Sequence, residues 1–223
     1  MRVPIATPAQ VAERCTRLPV FPLPRVVFLP HTLLPLHVFE PRYRALVADL
    51  VDGDGLLGVP TLGDRWQEDY DGRPAIHEVM GVGQLVRHQA LPDGCSNIVL
   101  VGLGRARLRG ELDTDKPYRV LDTELLEDVA PSGGRALAAA ATSIRVAIDQ
   151  LMRARPETAE HLSTLLDPQR RPHEMVDALA HLALRQPEDR QRYLELDGVE
   201  ARVEMVLASI ATAMCMGSGP ASA

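Results

Sequence analysis

The chain has 223 residues, with 24 Lys and Arg against 30 Asp and Glu, a net charge of −6. That length buries roughly 70–75% of the unfolded surface without help from disulfides, and the acidic excess is spread over both halves, which excludes the basic stripe that phosphate-driven nucleic-acid binding requires. The three cysteines, Cys15, Cys95 and Cys215, are odd in number and far apart, which excludes a disulfide framework or a thiolate metal site and suits a reducing cytoplasm.

Residues 1–17 form an amino-terminal extension with no apolar core of signal-peptide type. From residue 18 to 51 the sequence reads LPVFPLPRVVFLPHTLLPLHVFEPRYRALVADLV, two short strands and a helix. Val20, Leu23, Val26, Phe28 and Leu29 favour strand, whereas Pro19, Pro22, Pro24 and Pro30 remove ladder donors and confine the run to strand ends, edges or bulges. Pro41 suits the first turn of a helix, where its missing N–H has no intrahelical partner, and Glu40 then sits at the helix's positive end. Tyr43, Leu46, Val47 and Leu50 follow at helical spacing.

Strand-like runs then alternate with Gly, Pro and Asp turns: 56–61, 79–91, 98–103, 106–112 and 118–126. Short strands without regular intervening helices predict a mostly antiparallel, curled sheet or small barrel. Pro92, Asp93 and Gly94 predict a hairpin between 82–91 and 95–103. After APSGG at 130–134 the period changes. Leu137, Ala141, Ile144, Ile148 and Leu151, and later Val199, Val203, Val206, Ile210 and Met214, define two long amphipathic helices. Between them Pro156, Pro172 and Pro187 each open a shorter helix, with Leu162, Leu165 and Leu166, then Met175, Val176, Leu179 and Leu182, then Tyr193, Leu194 and Leu196 facing inward. The most apolar stretch, 203–216, is interrupted by Glu204, Ser209 and Thr212 and does not span a bilayer.

Catalytic patterns fail on context. Gly53, Gly55 and Gly58 match G-x-G-x-x-G, but a helix precedes them and a strand follows, the reverse of a dinucleotide-binding unit. His173 and Glu174 begin an H-E-x-x-H pattern that ends in Asp177, so the second imidazole of a zinc helix is missing, and the three read as a solvated helix start. Ser218 lies in a small-residue tail, not a nucleophile elbow. His31, His37, His77 and His88 lack metal-ligand spacing. The single lysine, Lys116, sits between Asp115 and Pro117, outside any phosphate loop and without the desolvation a catalytic base needs.

LPVFPL at 18–23, FLP at 28–30 and LPLHVFEPRYRAL at 34–46 together resemble the opening of the Lon protease amino-terminal domain. GVGQLVRHQALPDGCSNIVLVGLGRARL from Gly81 and the helical portion from His173 resemble its later parts, in the same order. The resemblance implies an α+β fold: a curled antiparallel sheet or pseudo-barrel of PUA-like type over 18–130, a helical bundle over 131–216, and a flexible tail over 217–223. It implies a stand-alone, non-catalytic polypeptide-binding protein without the ATPase and protease modules, needing no cofactor and no metal. Its partners would be unfolded or damaged polypeptides and a protease or chaperone, with no nucleic acid and no membrane, in the cytoplasm. The competing reading is a small-ligand or RNA-binding PUA-like module. Pro35, His37, Phe39, Glu40, Arg42 and Tyr43 fall in the family motif and read as framework. Candidate polypeptide contacts are Val27, Phe28, Leu29 and Leu33, with Trp66 and Tyr70 on the polar loop GDRWQEDYDGRP at 63–74, where aromatics either serve as contact devices or fold back over a sheet edge.

Overall fold

The computed structural model describes residues 4–70, 72–128, 134–154, 163 and 171–217. They fall into two units, Met1–Glu127 and Asp128–Ala223. Helix α1 (Pro8–Cys15) starts on a reciprocal capping box: Gln10 N–H donates to Thr7 Oγ1 at 3.4 Å, and Thr7 N–H donates to Gln10 Oε1 at 2.8 Å. Val11 and Cys15 on its inner face are buried in the first unit. Strand β1 covers only Leu18–Pro19, and β2 spans Leu33–Val38. Helix α2 (Pro41–Asp52) opens on Pro41 and buries Tyr43, Leu46, Val47 and Leu50, the face expected from their spacing.

Strands β3 (Leu56–Val59), β4 (Val79–Ala90), β5 (Ser96–Leu112) and β6 (Val120–Leu126) complete a six-stranded antiparallel sheet in the order β1-β6-β5-β4-β3, with β2 added on β5. The β4–β5 hairpin turns at Pro92–Gly94, where Asp93 Oδ1 accepts the Cys95 N–H at 2.9 Å. The strands expected at 98–103 and 106–112 are one continuous strand. Register shifts against β4 at Val82/Gly83 and Leu85/Arg87 absorb the bend that the glycines suggested was a break. The sheet curls without closing: isolated parallel bridges join Val20 to Gly58 and Leu23 to Thr61, with Phe21 N–H donating to Gly58 O at 2.9 Å.

The segment between β1 and β2 lies across the sheet instead of forming a full strand. At Gly81 an added Cβ would stand 2.0 Å from Phe28 O, and at Gly102 one would stand 2.3 Å from Leu29 O. Both positions therefore demand glycine for close backbone approach. This contact puts Phe28 into the core formed with Phe21, Tyr43, Leu46, Leu57, Ile98 and Leu100.

The second unit contains α3 (Gly134–Ala154), α4 (Pro172–Ala183), α5 (Pro187–Glu195) and α6 (Val199–Gly217). Ile144, Ile148, Met175, Val176, Leu179, Tyr193, Leu194, Val203, Val206 and Ile210 are buried, whereas Leu182, expected inside, is 43% exposed in the last turn of α4. Asp177 corrects the solvated reading of the H-E-x-x-D segment. It is fully buried: Tyr193 Oη donates to its Oδ1 at 2.6 Å, Arg202 Nη1 lies 3.1 Å from the same oxygen, and Arg202 Nη2 lies 2.6 Å from Asp128 Oδ1. A carboxylate and a guanidinium removed from water stay charged because each supplies the other's counter-charge. The helix expected from Pro156, its Leu162, Leu165 and Leu166, the side chains of Leu137 and Met214, and Ser218 lie outside the described residues. No described helix is long and apolar enough to cross a membrane.

Candidate polypeptide-binding surface

The sequence candidates separate into three environments. Val27, Phe28 and Leu29 are 4%, 2% and 0% exposed. The glycine-lined approach that seats them leaves no side-chain surface for a ligand, so their assignment as contacts is corrected to core. Leu33, by contrast, is 61% exposed, and so is Phe39. Pro35 and His37, read as framework with Phe39, are exposed as well.

These four form one row because of strand geometry. In β2 the side chains of Leu33, Pro35 and His37 share the outward face, while Leu34 and Leu36 are half-buried and Val38 is buried. Phe39 continues the row, its ring 6.2 Å from that of His37, and His37 Nδ1 lies 2.8 Å from Asn97 Oδ1 on the neighbouring strand. The same alternation orients the backbone. Gly102 N–H donates to Thr32 O, so Thr32, Leu34, Leu36 and Val38 present their polar groups to β5, and Leu33, Pro35 and His37 present theirs to the opposite side. Pro35 fits there because it has no N–H to contribute to the ladder. Among the described residues β2 pairs with β5 alone, so an exposed apolar row and an outward-facing strand edge coincide on the same residues.

Trp66 and Tyr70 belong to a different arrangement. A single 3₁₀ turn, Trp66–Asp69, precedes Tyr70, and both rings are half-buried and meet edge to face with centroids 5.2 Å apart. Tyr70 is held by the start of α2: its hydroxyl donates to Glu40 Oε1 at 2.5 Å, and Arg42 Nη1 donates to its backbone carbonyl at 3.3 Å. Arg42 also pairs with Glu40 through Nε at 3.0 Å and Nη2 at 2.9 Å, and its guanidinium lies 4.8 Å from the Tyr43 ring centroid and 5.0 Å from that of Tyr70. Burial pushes the Tyr43 hydroxyl up to about 12, and burial together with the Glu40 hydrogen bond raises that of Tyr70. Tyr43 stacks on Phe21 with centroids 4.1 Å apart. The E-P-R-Y motif thus joins core, helix start and aromatic loop.

Sequence reading missed the cleft beside that junction. It has a volume of about 280 Å³ and runs from Arg42, Tyr43 and Tyr70 to Arg73, Glu111 and Arg119. No motif encodes it, because its walls come from α2, the loop before β4 and the end of β5.

The family described as the ATP-dependent protease La (LON) substrate-binding domain matches residues 17–212. The chain is 22% identical over 214 residues to the Lon protease of Cytophaga hutchinsonii, covering 92% of this chain and 26% of that protein. It thus spans about a quarter of that relative's length. Among solved structures, the amino-terminal domain of the Mycobacterium avium complex Lon protease superposes with a TM-score of 0.65 at 15% identity, covering 87% of this chain and 98% of that one. The Lon N-terminal domain protein from Xanthomonas campestris superposes with a TM-score of 0.61 at 25% identity, covering 86% and 98%. With a match across most of its length, and with a curled antiparallel sheet and helices that superpose on those structures, the chain belongs to the Lon substrate-binding domain family.

Proposed function

We propose that this chain recognises polypeptides, taking up unfolded or damaged segments as an adaptor or regulator of proteolysis without performing catalysis itself. The observation that carries the reading is the row Leu33, Pro35, His37 and Phe39 on a strand whose outward edge pairs with no other described strand. An extended segment added there would gain main-chain hydrogen bonds from Leu33, His37 and the Pro35 carbonyl, and would bury the Leu33 and Phe39 side chains. Full burial of one such side chain is worth about 1.5–3 kcal/mol before ordering costs are charged. The family assignment supports the reading, since the matching part of Lon is its substrate-binding domain. Cys15 and Cys95 are free thiols, in keeping with action in the reducing cytoplasm.

The test is binding of a reduced, carboxymethylated and therefore permanently unfolded protein, followed by fluorescence anisotropy without nucleotide. The double variant Leu33→Asp/Phe39→Asp is expected to weaken binding by at least about tenfold, in line with loss of two buried apolar anchors, while the thermal midpoint stays in place because both side chains are exposed. Binding equal to that of the parent chain refutes the β2 row as the contact surface.

A further inference from the structure

A strand added at the outward edge of β2 meets an asymmetric set of backbone groups. The Leu33 and His37 N–H groups and the Leu33, Pro35 and His37 carbonyls point outward, because the even-numbered residues of β2 direct theirs to β5. Pro35 has no N–H, so the edge holds two donors, at Leu33 and His37, against three acceptors. An incoming segment must therefore bring three N–H groups on alternate residues, while its intervening N–H groups point away from β2. This alternation holds for parallel and antiparallel addition alike, since either ladder uses every second N–H.

The side chains on both faces of that edge narrow the segment further. On one face stand exposed Leu33 and Phe39, six residues and roughly 20 Å apart along an extended chain. Strand β5 continues this face with half-buried Val101 and Val99, opposite Leu33 and Pro35, and the first charged side chain met across the strands is Arg87 on β4, opposite Val99. On the other face Leu34 and Leu36 pack against the core and are still partly exposed. An amphipathic strand would set its polar side chains against one of these faces, whereas a run apolar on every residue covers both. Such runs are strands buried on both sides in their own folded proteins, and unfolding exposes them. Edges guarded against pairing carry charged side chains, but Leu33, Pro35, His37 and Phe39 include no carboxylate, lysine or arginine.

We propose that the β2 edge selects continuous apolar runs of about seven residues and adds them as a further strand, with Pro35 withholding one bond of the ladder and so keeping the grip reversible. This rests on the polypeptide-recognition reading and names its substrate and its mode of grip. A substrate proline is tolerated at the intervening positions and excluded from the three that face Leu33, Pro35 and His37, where an N–H is required.

The experiment is fluorescence anisotropy of the full chain with a labelled peptide of seven alternating valine and leucine residues between lysine pairs. N-methyl groups on its second, fourth and sixth apolar residues leave the alternate N–H set intact, and binding is expected to stay within about threefold of the unmodified peptide. The same number of methyl groups on the third, fourth and fifth residues interrupts every alternate set, and binding should fall at least about tenfold. Serine at the second, fourth and sixth positions keeps every N–H but strips one apolar face, with a loss of at least about tenfold expected. Pro35→Val supplies the missing outward N–H and should tighten binding about two- to tenfold, the worth of one hydrogen bond. Equal binding of the two methylated peptides, full affinity of the serine peptide, or unchanged affinity in Pro35→Val overturns the proposal. The two readings fail separately. If Leu33→Asp/Phe39→Asp abolishes binding while the methylated peptides bind alike, strand addition falls and the side-chain row stands; if neither the peptide nor carboxymethylated protein binds the parent chain, both fall.

Discussion

Tyr70 shows how a single hydroxyl positions a loop. Its bond to Glu40, beside the Arg42 contact to the Tyr70 carbonyl, ties the aromatic loop to the start of α2, and a hydrogen bond to a charged, half-buried partner contributes about 1.5–3 kcal/mol. Tyr70→Phe is expected to cost the lower end of that range and to move Trp66 emission to the red as the ring pair loosens, read by fluorescence and urea unfolding. His173 makes the corresponding statement about pH. Burial lowers its pKa, outweighing the nearby Asp128 carboxylate, which pulls it upward. The unfolded chain therefore takes up a proton near pH 6.5 that the folded one refuses until the pH is lower, so stability falls as the pH drops through that range. The drop in thermal midpoint between about pH 7.5 and about pH 5.5 should be smaller in His173→Gln than in the parent. Asp177 marks the limit of reading such residues from sequence. Its H-E-x-x-D setting looks like a polar helix start, and only the arrival of Tyr193 and Arg202 from helices α5 and α6 makes it a core residue.

Elements with a local cause were legible in advance, and those with a distant cause were not. Helix α2 follows from Pro41 and the spacing of four apolar residues, and the β4–β5 turn from Pro92, Asp93 and Gly94. Helix α1 has a local signal too, the Thr7–Gln10 box, but its polar sequence hides the two residues that pack. The course of residues 27–29 has no local signal at all, because alternating apolar residues and prolines say edge strand, whereas glycines 50 to 75 positions later open the space that buries them. Gly81→Ala should test this directly. With the added methyl 2.0 Å from a backbone oxygen, the strand or the crossing segment must shift, at a cost of about 1–3 kcal/mol, seen as a lower urea midpoint with little change in far-UV circular dichroism. The β2 row lies between these extremes: its alternation is visible in Leu33, Pro35, His37 and Phe39, but which backbone edge faces outward depends on the pairing with β5.

At the level of the molecule, each unit encloses its own apolar cluster. Phe21, Phe28 and Tyr43 belong to one, while Ile144, Met175 and Val206 are buried in the other. A chain ending at Glu127 should therefore fold by itself, giving dispersed amide resonances, a cooperative thermal transition and the parent's affinity for unfolded protein. Collapse to a broad, non-cooperative transition would show that the helical unit is required. The seat of Phe28 and Leu29 on Gly81 and Gly102 carries a further consequence for how the protein is made. On the ribosome, Phe28 emerges more than 50 residues before Gly81 and more than 70 before Gly102, the two glycines that complete the seat. At about 5–20 residues per second, that leaves several seconds in which LPVFPLPRVVFLP has no sheet to lie on. Nascent chains of this protein are thus transiently the kind of exposed apolar segment that the finished chain is proposed to recognise, and a folded copy is a candidate to hold them until β5 arrives.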